Sequence, residues 1–404
     1  MTEWSADIAV VGGGMVGAAL ACGLAQQGFQ VALLELREPV EDWPQDSYDL
    51  RVSAITRASQ HIFEHLNAWQ GMLDRRATPY NRMQVWDATG SGRIQFDAAD
   101  IGEPELGHII ENRIIQRALW DRLEQLDRAR LVCPARVEAL TTDDKSNSVL
   151  TLEDGRQLHV SLAVAADGAN SALREIAGIG TRGWLYDQTA VVATVRAEHG
   201  HQDTAWQKFM PTGPLALLPT GKDLFSIVWS TGPQQAAELL AMPEHEFNSL
   251  LTQASESRLG ELTLLGQRGA FPLKLQHADT YIKPGLALVG DAAHVIHPLA
   301  GQGVNLGLLD AAALIDVLVE ARAGKRTLGS FSNLRRYERA RMGDNVIMQG
   351  AMDGFKRLFS NQVLPLRLLR NLGLGMVDHA APVKRMIARQ ALGTSGELPS
   401  LAKP

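Results

Sequence analysis

Three glycines near the N-terminus limit what this chain can fold into more than any other feature. Residues 7–35 read D-I-A-V-V-G-G-G-M-V-G-A-A-L-A-C-G-L-A-Q-Q-G-F-Q-V-A-L-L-E, placing Gly12, Gly14 and Gly17 in the spacing G-x-G-x-x-G. Alone, the spacing is weak. Here an apolar run at 8–11 reads as a buried strand before it, and a helix expected to last to about residue 27 opens after it. A second apolar run at 30–34 ends in Glu35, an acid about 20 residues past the glycines, which completes the context of a dinucleotide site. The glycines let backbone approach a pyrophosphate, the helix N-terminus favours its charge, and Glu35 can accept from a ribose hydroxyl. The expected fold class is α/β, with a Rossmann-like nucleotide-binding domain.

A second stretch, 286–307, reads L-A-L-V-G-D-A-A-H-V-I-H-P-L-A-G-Q-G-V-N-L-G. Residues 286–289 predict a buried strand stopping at Gly290, which puts Asp291 at a strand's C-terminal end, where open α/β sheets keep their ligand crevices. The loop holding Pro298, Gly301 and Gly303 then enters a helix expected over 304–320, and free N–H groups at such an end suit an anion or an electron-rich ring edge. The spacing Asp291-x-x-His294-x-x-His297 invites a metal, but ligands three apart need a helix to share a face, and Pro298 follows directly. His294 could equally be a packed, hydrogen-bonded core histidine.

The chain's 404 residues, 45% hydrophobic and 21% charged, suit a soluble globular protein with room for two cores. Residues 8–34 carry no charge, yet their glycines and glutamines and the acids Glu3 and Asp7 argue against a signal peptide or membrane span. Two cysteines, Cys22 and Cys133, offer no disulfide framework and suit a reducing, cytoplasmic setting. Nothing points to nucleic acid.

Residues 38–49 form an acidic loop without a base, and its end delivers Asp49-Leu-Arg51-Val-Ser-Ala-Ile55. Helical spacing covers 58–73 and 112–126, and hairpins are expected at 83–96 and 149–160. A strand at 162–166 delivers Ala166-Asp167-Gly168-Ala-Asn-Ser-Ala-Leu-Arg174, and strands dominate 189–229 before a short helix at 243–253. A β-rich insert between nucleotide-binding segments is where a substrate-covering sheet belongs. The expected organisation is a discontinuous nucleotide-binding domain (1–78, 105–182, 273–330), a substrate domain (79–104, 183–272) and a C-terminal helical region (331–404).

With these motifs in view, the chain resembles the FAD-dependent aromatic hydroxylases of the para-hydroxybenzoate hydroxylase type, and more closely the ubiquinone-biosynthesis hydroxylases. The likeness runs through Leu106-Gly-His-Ile-Ile-Glu-Asn112, Trp206-Gln207, Gly213-Pro-Leu-Ala-Leu-Leu-Pro219 and Leu334-Arg-Arg-Tyr-Glu338, so it covers nearly the whole chain. It implies FAD as cofactor, with Arg51 at the flavin or a phosphate and Asn112 near the flavin. It also implies Asp167 by the pyrophosphate, Asp291 at the ribityl hydroxyls and Pro298 at the reactive ring edge. Gly303, Val304 and Asn305 would offer N–H groups to the pyrimidine side, where charge develops on reduction. The bland account of Arg51 is a surface ion pair, and of Asp167-Gly168 an ordinary turn.

The implied reaction uses NADH or NADPH and O2, through a C4a-hydroperoxyflavin, to hydroxylate a polyprenylphenol or polyprenylquinol, and His297 is the residue nominated for a proton role. The resemblance implies no dedicated nicotinamide domain, so a nicotinamide would dock transiently, and the W-x-W-x-I-P signature of flavin-dependent halogenases is missing. Two rivals are a nicotinamide-dependent dehydrogenase, which has no use for the Asp167 and Asp291 motifs, and a non-catalytic flavoprotein or lipid-binding subunit. The tail changes sign: residues 321–404 carry 15 Lys and Arg against 5 Asp and Glu, leaving 24 against 40 before them. Its basic amphipathic runs could cap the fold, or meet an anionic membrane surface or a quinone-biosynthesis complex on the cytoplasmic face of the inner membrane.

Overall fold

Strand Glu3–Val11 lies at the centre of a largely parallel sheet in the computed structural model, which describes residues 3–44, 46–296, 303–360, 380–393 and 396–404. It pairs in parallel with Val31–Leu34 on one side and Gln157–Ala165 on the other, and these pair in turn with Ala129–Val132 and Leu286–Leu288. Val31–Leu34 and Leu286–Leu288 are buried throughout, which is why they read as unbroken apolar runs. Helices Met15–Gln26 and Gly303–Ala323 pack on each other, and Asn112–Glu124 packs beside the first. Small residues at Ala18, Ala19, Ala21, Ala311 and Ala312, all buried, fill these helical faces.

The second sheet is mostly antiparallel and runs His294–Val295, Leu262–Ala278, Thr181–Ala197, Leu224–Thr231, Gly213–Pro219, Thr204–Met210, Arg82–Asp87 and Arg93–Asp97. Side chains alternate across it. Val191, Val195, Leu215, Leu217, Phe225, Ile227 and Trp229 point one way and are closed over by Phe247 and Leu251. Ala190, Val192, Ala216, Leu218, Ser226 and Val228 line a cavity on the other side. A third small sheet joins Val52–Ile55, Gly107–Glu111 and Ala77–Tyr80.

Three expectations meet a different local outcome. The helix expected over 58–73 is two, Arg57–His65 and Trp69–Arg75, because Asn67 adopts a left-handed φ of 56° between them. The expected strands at 157–160 and 162–166 are a single strand, Gln157–Ala165, which pairs antiparallel with Ser148–Leu152 as well as parallel with Glu3–Val11. Leu262–Ala278 runs through the joint expected at residue 272 and carries the second sheet on to residue 278. Among the described residues no helix is long and apolar enough to cross a membrane.

Candidate active site

The glycine loop is built by close approach. Gly12 has φ 105°, and a Cβ there would lie 2.5 Å from the Ala166 carbonyl oxygen, so the first strand crosses the end of Gln157–Ala165 only without a side chain. A Cβ on Gly17 would overlap the Gly12 carbonyl oxygen. Gly14 differs. Its φ of −67° and ψ of −176° suit any residue, and a Cβ would meet nothing within 4 Å. The fold itself has no need of glycine there, and the open space beside it belongs to the cavity described below. Gly14 is also the N-cap of Met15–Gln26, whose first turn has neither a side-chain cap nor an acid, leaving its N–H groups to an incoming anion.

The loop is held from two sides. Trp120 Nε1 and Gln116 Nε2 donate to the Gly13 carbonyl at 2.8 and 2.9 Å. Glu35 accepts from the Gly13 N–H through one oxygen and from Leu36 and Arg37 N–H at 2.7 and 3.2 Å through the other. The acid expected at a ribose thus also anchors the glycine loop, a task its spacing alone did not show.

Asp167 stands beside Gly12, with one carboxylate oxygen accepting from Leu173 N–H at 3.1 Å and the other buried without a partner among the described residues. A buried carboxylate oxygen left unpaired is costly unless a ligand satisfies it. Arg174, itself buried, donates to the carbonyls of Ala169 and Ala292 at 3.1 and 2.9 Å and so ties this turn to the Gly290–Ala292 turn.

Asp291 follows, its side chain open to the cavity but otherwise walled in. Burial raises its pKa above the usual carboxylate range, while His294, Arg51 and Lys274 pull the other way. Beneath it lies a buried ionic network. Asp310 accepts from His294 Nε2 at 2.5 Å, from Arg341 Nε at 2.9 Å, from Asn345 Nδ2 at 3.1 Å and from Gly290 N–H at 3.2 Å. Burial works to raise the Asp310 pKa, but His294 first, then Arg341 and Asn345, bring it down to about 2. His294 is therefore the packed histidine of the two readings, 2% exposed and bonded. Asp310 itself carried no sequence signal.

A cavity of about 400 Å³ brings together Gly14, Arg51, Asn112, Asp291, Gly303 and Val304. Two helix N-termini open onto it, those of Met15–Gln26 and Gly303–Ala323. Asn112 donates its N–H to the Arg51 carbonyl at 3.0 Å and accepts from Ser53 Oγ at 2.7 Å. The Arg51 guanidinium sits over the Phe271 ring, 5.5 Å from its centroid. Asn305 is buried and turned into the protein: it donates to the Ala54 carbonyl at 2.8 Å and accepts from Thr56 N–H at 3.1 Å, so its side chain fastens the helix start to strand Val52–Ile55. Gly12, Gly17, Glu35 and Asp167 shape the approach rather than the cavity wall. His297 and Pro298 lie outside the described residues.

A parallel sheet whose two helix N-termini and unfilled Gly14 position open onto one cavity walled by a second sheet, with the Asp167 turn beside the glycine loop, fits a flavin-dependent oxidoreductase. The family described as FAD binding domain matches residues 5–347. The chain is 44% identical over 393 residues to the 3-demethoxyubiquinol 3-hydroxylase of Escherichia coli K12, covering 97% of this chain and all of that one. It is 39% identical to the ubiquinone hydroxylase UbiL of Rhodospirillum rubrum, over 96% of this chain and 90% of the other. Among solved structures, p-nitrophenol 4-monooxygenase of Pseudomonas putida superposes with a TM-score of 0.78 at 18% identity, covering 97% of this chain and 99% of that one. The chain belongs to the FAD-binding-domain family and, within it, to the ubiquinone-biosynthesis hydroxylases.

Proposed function

We propose that this enzyme hydroxylates the aromatic ring of a polyprenylated quinol or phenol in ubiquinone biosynthesis, using NADH or NADPH and O2. The observation that carries the reading is the two-sided cavity: glycine loop, Asp291 and helix N-termini on one wall, and an apolar sheet floor of Ala190, Val192, Ala216, Leu218 and Val228 on the other. A nucleotide-linked ring fits the first wall, and an apolar ring fits the second. FAD, when bound, supplies the two-electron chemistry and the activation of oxygen.

The chain's residues would do the rest. Gly14 and the Met15–Gln26 N-terminus would hold the pyrophosphate, the free oxygen of Asp167 would accept from a hydroxyl or N–H nearby, and Asp291 would hold the ribityl chain. Arg51 and Asn112 would flank the ring, and the N–H groups at 303–305 would face its pyrimidine side, where a helix N-terminus favours negative charge. His297 and Pro298 would close the site and keep water out. The test is mass spectrometry of products formed from demethoxyubiquinol and from a polyprenylphenol, with nicotinamide consumption followed alongside. Nicotinamide oxidation without a hydroxylated product from either ring refutes the assignment.

The basic tail would bring the enzyme to an anionic membrane surface, where a polyprenyl substrate resides. Exposed apolar side chains at Val346, Ile347, Val383 and Met386 support this reading, the first two on the long helix Phe331–Ser360 and the last two beside the basic residues of helix Ala381–Ala391.

A further inference from the structure

Ser226 stands out on the cavity floor. It sits in strand Leu224–Thr231, with its Cα paired to Thr194 on one side and Leu218 on the other. Strand alternation points Phe225 and Ile227 into the core and leaves Ser226 with Val228, Val192, Ala190, Ala216 and Leu218 on the cavity side. It is 1% exposed, and its hydroxyl has no hydrogen-bond partner among the described residues. Lys274, the other polar side chain that this sheet gives to the cavity, donates to Asn170 at 3.1 Å. The sheet thus presents one unengaged hydroxyl amid small apolar side chains.

Three facts make this more than a stray serine. An unsatisfied buried hydroxyl is disfavoured, so a partner must come from the cavity. The hydroxyl is closed to solvent in the ligand-free protein, so no water satisfies it, and a ring pressed against the floor supplies the bond that is missing. And a site built to hydrogen-bond a substrate hydroxyl rejects an analogue without one far better than an apolar wall sorts rings by size.

Resting on the substrate class proposed above, we infer that Ser226 is the specificity-determining residue that hydrogen-bonds a ring hydroxyl of the substrate and fixes which way the ring lies against the sheet. The apolar residues around it accept the ring faces and discriminate little. Orientation is what the hydroxyl adds, since a ring held by one polar contact in an apolar slot presents one edge rather than several.

The test uses the FAD-loaded full chain and a short-tailed demethoxyubiquinol, with Kd read from the perturbation of the flavin absorbance. Ser226→Ala should raise Kd about 3- to 10-fold, the loss of one neutral hydrogen bond. The same variant should bind one of the two monodeoxy analogues, each lacking one ring hydroxyl, as well as the wild type does. Its melting temperature without substrate should be unchanged or higher, because no protein partner is stranded. That sign separates recognition from scaffolding. An unchanged Kd for the parent quinol, or an equal loss for the quinol and both analogues, overturns the inference, as does a fall in the melting temperature of the substrate-free variant. A wild-type enzyme that binds none of these rings refutes the substrate reading itself, and the role of Ser226 with it.

Discussion

Replacing Gly14 with valine separates what the glycine loop does for the fold from what it does for the cofactor. The position has ordinary extended angles and open space around a Cβ, so a side chain should cost only what an apolar N-cap costs, roughly 0.5–1 kcal/mol. Gly12→Ala is the control. It forces a side chain to φ 105° and to 2.5 Å from the Ala166 carbonyl oxygen, combining left-handed strain of about 1–2 kcal/mol with overpacking of about 1–3. The binding side reverses the order for Gly14. A valine between the loop and the pyrophosphate removes charge-assisted hydrogen bonds worth about 1.5–3 kcal/mol each, so losing one weakens FAD by about a hundredfold at the upper end. At a free FAD concentration 100 times the wild-type Kd, ligand-linked stabilisation then drops from about 2.7 to about 0.4 kcal/mol. Thermal melts of the apo-proteins with and without added FAD measure both quantities at once. A Gly14→Val protein that keeps the wild-type FAD-induced rise, or that loses as much apo stability as Gly12→Ala, refutes the reasoning.

Asp291→Ala should purify with substoichiometric FAD yet melt near the wild-type apo-protein, because its carboxylate faces the cavity; absorbance at the flavin bands against protein concentration checks this. Asp310→Ala should cost about 3–5 kcal/mol in denaturant unfolding, since it strands the buried cation of Arg341. Its folded pKa is depressed, so Asp310 stabilises the fold above the ordinary carboxylate range, and that contribution is lost as pH falls toward about 2. Acid-unfolding curves of Asp310→Asn should therefore be flatter than the wild type below pH 4. Arg51→Ala and His297→Ala should lower the ratio of hydroxylated product to nicotinamide consumed, with hydrogen peroxide making up the difference, and an unchanged ratio at an unchanged rate removes both residues from the mechanism. Reversing charge at Lys356, Arg357, Arg367 and Arg370, which lie outside the described side chains, should abolish flotation with anionic vesicles at low salt; equal flotation leaves the tail a structural cap.

The nucleotide half of the site could be read from the chain because its constraints are local. Gly17 is needed because it packs on the Gly12 carbonyl of its own turn, Gly12 because of its φ of 105° as well as its approach to Ala166, and the strand before and helix after them have their own periodicities. The Gly290-Asp291 turn is readable for the same reason, a buried strand ending in one acid. Asn305 was read for its backbone, but its side chain acts across 249 residues on Thr56, a pairing with no spacing to betray it. The break at Asn67 was missed because apolar spacing continues through it and only the backbone angle shows the stop.

The substrate half is harder to read for a physical reason. Leu224-Phe-Ser-Ile-Val-Trp-Ser-Thr231 alternates as any half-buried strand does, and one serine in it is unremarkable. Its meaning comes from register: pairing with Thr194 and Leu218 places Ser226 on the face that the nucleotide-binding sheet closes over, where no solvent-facing serine belongs. The same holds for Asp310, whose partners His294, Arg341 and Asn345 come from a strand end and two turns of a later helix. Asp310 joins the Gly290 N–H, His294 and the helix that begins at Gly303, so one buried carboxylate fixes both flanks of residues 297–302. A cofactor site that works through its backbone advertises itself in glycines. Orientation of the substrate rests on a single polar side chain set in apolar surroundings, which reaches the cavity only when the two sheets meet.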